Sequence, residues 1–465
     1  MTASKIKTGE SFDFEGFWWE PSASESPAHK AQGTLQYSPS DGVTLSVVDL
    51  HGSPEKGLTG PSTIPVLHGK TLKGRPCTLL DLTYSNTQAH LPGGHSREVL
   101  GSNILLHGAH ISNLDDLSIS RARIGLRGLG EWLTEPWPGR QTSFGSLAEQ
   151  GVLEIPLDDA RLLFQEEKYQ QSQRFSRLET TTFSALFEFN QPTTLAELNE
   201  KYVRPLHDLL VLGTNEEIRV TETTILESEE LEKWWGDRQP IKQIHELSVV
   251  LRNELTWHAE GKNAFHQVPL PLAALGSEPG AVIQRWYALR EELAGAGNSL
   301  FATLNSKKHR TLEVDLLSLL SCAEGYHRAR FDEPVVSSEE HAAAVKTMIG
   351  SLPDSLKENY EKRLGHAHEQ TQGQRIRKLF ENAETVVPAV HKWRNVVHRL
   401  VQTRNYLTHW GDESGAVLSI EDQISALKML EIVLRINLMR DIGVDPSDIQ
   451  GSVNVSHGEQ AVFAN

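Results

Sequence analysis

The sequence predicts an α+β multidomain protein, rich in strands at its N-terminal end and all-α at its C-terminal end. Three observations predict it. The chain has 465 residues, more than one ordinary hydrophobic core accommodates. Its first third alternates short apolar runs with Gly- and Pro-containing turns. From about Lys308 onward, apolar residues recur at helical intervals instead.

Taken in order, GTLQYSPSDGVTLSVVDL (Gly33 to Leu50) reads as a hairpin. Two alternating runs flank Ser-Pro-Ser-Asp-Gly, where Pro presets one dihedral and Gly accepts a positive φ. Phe17-Trp18-Trp19 is expected to anchor this β-rich layer, and TIPVLHGKTLKGRPCTLLDL and SNILLHGAHI read as further strands. RARIGLRGLGEWL runs from a strand into a short segment bearing Trp. Thr193 to Gly213 reads as a Thr-capped helix, with Leu195, Leu198 and Tyr202 at helical spacing, and EIRVTETTIL as the strand after it. Beyond Lys308, Leu312, Leu316, Leu319, Leu320 and Ala323 mark one helix, and serine caps with acidic first turns mark another from VSSEEH. Val387 to Trp410 reads as one long helix, and a last helix follows from Ser419. Composition shifts near Gly276 and Ala294 place the main boundary. The predicted domains are 1–300, with a sub-boundary near 150, then 301–445, then a polar, fraying tail at 446–465.

At 38% hydrophobic residues the composition is globular. The formal net charge of -16 argues against a general nucleic-acid sheath but leaves room for a local basic patch. Cys77 and Cys322 form no CxxC pair and no disulfide framework, which fits a reducing compartment. The first residues lack the apolar core of a signal peptide, and no run approaches the roughly 18 to 20 apolar residues of a membrane helix. A cytoplasmic protein without membrane contact is expected.

The stretch Thr403 to Asp412, TRNYLTHWGD, gathers Arg404, Asn405 and His409 just before Trp-Gly. Arg-to-His spacing alone carries little, because RLGHAH, RNELTWH and RNVVH offer similar pairs in the same chain. Context separates them. No Asp or Glu occurs from Thr385 through Gly411, while Lys392, Arg394, Arg399 and Arg404 all do. An acid-free cationic helix in an acidic protein suits phosphate, and RNA would be its polymer. The same helix neutralised by Glu339, Glu340, Glu421 or Asp422 would be a solvated surface. Asn405 and His409 share a helix face, whereas Arg404 and His409 lie roughly 140° apart on a regular helix. A second copy of the chain, or a distorted helix end, is then needed to bring both to one phosphate.

Other chemistries are weaker. HLPGGH and HGAH put His90, His95, His107 and His110 in a short Gly-rich region, but no HExxH occurs. GxSxG and GxxxxGK[ST] are absent. A noncatalytic RNA- or protein-binding module is the alternative of a different class.

The R-N-x-x-x-H pattern near the end of a long helix, with one more helix after it, resembles the HEPN RNase motif. FEGFWWEP followed by GTLQYSPSDGVTLSV resembles the opening of the ApeA N-terminal domain. The passage from IQRWYALREE to LLSCAEGYHRARF resembles that family's entry into its HEPN domain, so the likeness runs from Phe12 to Gly443. ApeA-like proteins are bacterial antiphage factors of the abortive-infection type. The resemblance implies an all-α HEPN bundle, an RNase restrained until infection, and an N-terminal region that senses or regulates. It implies no cofactor and no metal, RNA as partner, a homodimer or higher oligomer through the HEPN domain, and a phage-derived trigger. It assigns catalysis to Arg404, Asn405 and His409, with Glu324, His327 and Arg328 in support; Lys392, Arg394 and Arg399 are the RNA-binding candidates. Gly325 departs from the family's pattern and costs a helix up to about 1 kcal/mol against Ala.

Overall fold

The computed structural model describes residues 6–21, 30–51, 62–89, 94–139, 145, 153–173, 176–231, 241–252, 267–305, 311–331, 334–365, 367–409 and 417–455. The chain divides into two compact units. One comprises Met1–His266, Pro271–Ala273 and Ser277–Gln284; the other comprises Gln267–Leu270, Ala274–Gly276 and Arg285–Asn465.

Among the described residues, the first unit carries twelve antiparallel strands. β1 (Phe12–Trp19), β2 (Ala31–Ser38), β3 (Gly42–Val48), β4 (Thr63–Thr71), β5 (Pro76–Ala89) and β6 (Ser96–His107) are ordered β3-β2-β1-β4-β5-β6, and a β3–β6 pairing closes them into a barrel. The predicted hairpin is β2–β3, with Gly42 at φ 77° in its turn. Alternation along β1 turns Trp18 inward, where it is fully buried among Leu35, Leu45, Leu67 and Leu79, and leaves Phe17 and Trp19 outside. Gly69 on β4 is required beneath that indole: a Cβ there would lie 2.2 Å from the Trp18 ring.

β6 joins the barrel to the remaining strands. Its Arg97–Ser102 stretch pairs with β3, and Ile104–His107 pairs with β12 (Ile241–Leu251). From there the sheet continues through β11 (Val220–Leu231), β7 (Ile119–Leu126), β10 (Ser176–Thr193), β9 (Ala160–Gln173) and β8 (Glu154–Pro156). Two helices accompany it. α1 (Leu129–Thr134) buries Trp132. The predicted helix after Thr193 begins with a Thr194–Glu197 capping box, passes through a π-helical stretch at Leu198–Val203, and ends as α2 (Arg204–Thr214).

α3 (Pro279–Asn305) starts in the first unit and enters the second at Arg285, and the second unit continues with α4 (Leu312–Phe331), α5 (Ser338–Gly350), α6 (Asp354–Leu364), α7 (Gln372–Glu384), α8 (Val396–His409), α9 (Ile420–Asp441) and α10 (Pro446–Val455). The boundary signal at Ala294 is a kink inside α3, where Ala294 adopts φ 41°. Gly325 now has a reason. A Cβ at that position would stand 3.0 Å from the Ala296 Cβ, so its absence lets α4 approach α3 closely.

Two expectations are corrected. Val387 to Trp410 is not one helix: Pro388–Trp393 forms a tight 3-10 turn around buried Val390, and α8 begins only at Val396. The tail expected to fray carries α10 through Val455, because Ile449 and Val453, one turn apart, are both buried.

Candidate active site

α8 is held by a single stripe. Val397, Leu400 and Thr403, three residues apart, are buried, and the other residues of the helix through Thr408 are at least partly exposed. Thr403 does more than fill space. Its hydroxyl donates to the Arg399 carbonyl at 2.8 Å and accepts from the Leu418 backbone N–H at 2.9 Å. The amide side chain of Gln423 in turn donates to the Leu418 carbonyl at 2.9 Å. These bonds tie the chain entering α9 to the turn of α8 that presents the motif. Nothing in the sequence marks a hydroxyl bond across 15 residues, and the sequence reading passed over Thr403.

Arg404 and Asn405 follow directly. Arg404 is half-buried and donates from Nη1 to Asn405 Oδ1 at 3.3 Å, and Asn405 is exposed. Among the described residues no carboxylate pairs with Arg404. His409 is the last residue of α8, and its backbone is helical; its side chain, Trp410 and Gly411 lie outside the described residues. The backbone stays α-helical through His409, and positions 404 and 409 of a regular helix are separated by about 140°.

The other two arginines of this region are committed to acids. Arg394 pairs with Glu381 at 2.5 Å and Glu384 at 3.5 Å, both on α7, and Arg399 pairs with Asp422 of α9 at 3.0 Å. Asp422 was among the neutralising acids the sequence suggested, whereas Glu381 and Glu384 were not. Lys392 is exposed on the 3-10 turn.

Glu324, His327 and Arg328 lie on α4 and do not act alike. Glu324 accepts from Arg328 at 3.2 Å and from the Gln372 amide at 3.2 Å; Arg328 also reaches Glu369 at 2.9 Å. Gln372 opens α7. Glu324 therefore faces the start of α7. His327 is fully buried in the helical core, against the Phe331 ring at 5.3 Å.

The histidines of the alternative metal reading separate. His107 lies inside the barrel wall, stacked on Phe14 at 5.1 Å, and burial together with the Arg75 cation pushes it down to about 4. His95 hydrogen-bonds Asp49, His110 is exposed outside the barrel, and His90 is outside the described residues. Among the described residues, no three His, Cys, Asp or Glu side chains converge as a metal site would require. Of the decoys, Arg394 is in the ion pairs above, His368 stacks on His341, and His258 is outside the described residues.

Comparison with family models then gives two matches. ApeA N-terminal domain 1 covers residues 13–286, and Apea-like HEPN covers residues 317–448. The chain belongs to the ApeA family. Its β-rich part matches the ApeA N-terminal domain, and α4 to α10 carry the HEPN match. At the level of the family, membership points to an antiphage HEPN nuclease. Comparison with curated proteins and with solved structures returned no significant match. Among the described residues, no helix is long and apolar enough to cross a membrane.

Proposed function

We propose that this ApeA-family protein is a metal-independent endoribonuclease that acts in the cytoplasm in antiphage defence by abortive infection. RNA brings its own nucleophile, the 2′-OH beside the scissile phosphate. Cleavage needs a base to take that proton, a cation to hold the anionic phosphorane, and an acid to protonate the departing 5′ oxygen. Position 409 carries an imidazole, the side-chain type most often used for base or acid work near neutral pH. Arg404 stays protonated and grips phosphate oxygens with a planar fork. Asn405, already bonded to Arg404, orients that fork. The products are a 2′,3′-cyclic phosphate and a 5′-OH.

The observation that carries the proposal is the isolation of Arg404. Of the three arginines on and just before α8, Arg394 and Arg399 are neutralised by α7 and α9 carboxylates, and Arg404 alone faces no acid among the described residues. An arginine whose partner is an amide is available to phosphate. The angular separation of Arg404 and His409 supports a homodimer, in which two helix ends supply two arginines and two histidines to one phosphate. Lys392 is exposed and can meet the RNA backbone, and Arg394 and Arg399 reach it only by giving up their carboxylates. Glu324, held by Arg328 and Gln372, positions the α4 side of the site. The N-terminal region regulates the site in response to a phage-derived trigger.

Incubating the full chain with total RNA in excess EDTA tests this. Cleavage by wild type that is lost in Arg404→Ala is expected. Binding that weakens without any loss of turnover would leave a noncatalytic RNA-holding module instead.

A further inference from the structure

The outer wall of the barrel carries a cluster that the proposed active site does not use. Trp19 and His68 are cross-strand partners on β1 and β4, and so are Phe17 and Lys70. The imidazoles of His68 and His110 lie nearly parallel, 4.6 Å apart, and the Trp19 ring stands edge-on to both. His68 Nε2 bonds the Ile111 carbonyl at 2.9 Å, and His110 Nε2 bonds the Gly69 carbonyl at 2.7 Å. A carbonyl only accepts, so each Nε2 carries the hydrogen and each Nδ1 is where a proton is taken up. The Lys30 ammonium lies 4.8 Å over the Trp19 ring. Phe17, two residues from Trp19 on the same face, is 43% exposed, and His110 is exposed at the end of the stack.

Two features say what covers this face. The first is flat rings: Phe17 and His110 are exposed, while the Trp19 face is taken by Lys30, and exposed rings suit unpaired bases. The second is charge. Lys30 and Lys70 bring cations to this face in a chain with 61 acidic residues, and Asp13 and Glu15 stand further along β1. Glu20, next to Trp19, is occupied by His51 at 3.1 Å.

We propose that this face, built from Phe17, Trp19, Lys30, His68, Lys70 and His110, binds single-stranded RNA, with bases stacking on Phe17 and His110 and phosphates meeting Lys30 and Lys70. Stacking platforms on antiparallel strands with flanking cations bind unpaired strands with little sequence preference. The choice of RNA over DNA rests on the proposed nuclease function; the site itself does not.

A fluorescein-labelled 2′-O-methyl 12-mer lacks the 2′-OH nucleophile, so fluorescence anisotropy with the full chain reads binding without cleavage. Expected is submillimolar binding of the single strand. His110→Ala and, separately, Phe17→Ala are each expected to weaken it by about tenfold, in line with the loss of one stacked base. Both residues are exposed, and unchanged circular dichroism confirms folding. No binding by wild type, equal affinity for a duplex of the same sequence, tighter binding of a deoxy 12-mer, or affinity that depends on Lys392 and Arg404 but not on the barrel variants would each overturn the proposal. Failure of the nuclease reading would show separately, as intact RNA in the cleavage assay.

Discussion

α8 and α9 are neighbours in the helical unit and behave oppositely. α9 buries eight successive residues, Ile432 through Met439, including the polar Asn437, whose amide donates to the Leu379 carbonyl at 3.0 Å and the Val433 carbonyl at 2.7 Å. It packs on α4, α7, α8 and α10. Through Thr408, α8 buries the stripe Val397, Leu400 and Thr403 and leaves Arg404, Asn405 and Thr408 on partly or fully exposed faces. A helix whose C-terminal half is covered on all sides is an axle there, and those residues are constrained by packing density. A helix fixed by one stripe spends little of its surface on folding and has its outer end available for chemistry. The two should therefore respond to substitution in different observables.

The largest expected effect separates them. Arg404→Ala should lower RNA cleavage by at least about a thousandfold while leaving the thermal midpoint within a degree or two of wild type. On α9, Leu434→Ala removes a fully buried side chain and should cost about 2 to 5 kcal/mol, read by urea denaturation, with activity per folded molecule preserved. Activity loss in the α9 variant without instability would erase the distinction.

Thr403 sharpens it, because it belongs to both roles. Thr403→Val keeps the volume but leaves the Leu418 N–H without its acceptor, at a cost of about 1 to 2 kcal/mol; it should also reduce turnover by loosening the end of α8. Thr403→Ser keeps the hydroxyl and should restore turnover more than stability. Equal turnover in both would show that the bond only stabilises.

How much of this was legible beforehand follows from range. The hairpin at Gly42, the caps at Thr194, Ser337 and Ser419, and the position of the motif at a helix end all rest on neighbours within a few residues, and all are present. The barrel closure rests on β3 meeting β6, some fifty residues on, which no local pattern encodes. The electrostatics of the site failed for the same reason. Thr385 to Gly411 has no acid, yet Glu381, Glu384 and Asp422 reach back to Arg394 and Arg399 from adjoining helices. Charge read along the sequence overstated the basic surface and could not single out Arg404. Gly325, which departs from the family pattern, was legible only as a cost, since Ala296 across the helix pair explains it.

Smaller effects follow from those contacts. Gly325→Ala gains helix propensity worth up to about 1 kcal/mol but sets a methyl 3.0 Å from Ala296, so a net loss of about 1 kcal/mol is expected. A net gain would mean that α3 and α4 separate readily. Smallest is Arg399→Gln. Its pair with Asp422 joins α8 to α9, but both side chains are more than 40% exposed, and the stability change should stay within about 0.5 kcal/mol.

The most direct test of the central claim is the chemistry of the cut ends. Full-length wild type, His409→Ala and His258→Ala are incubated with total RNA in excess EDTA, with and without extract of phage-infected cells, and the termini are identified. Wild type and His258→Ala should release 2′,3′-cyclic phosphate and 5′-OH ends, and His409→Ala should release none. Equal cutting by all three, 3′-OH and 5′-phosphate ends, or intact RNA under both conditions would contradict it.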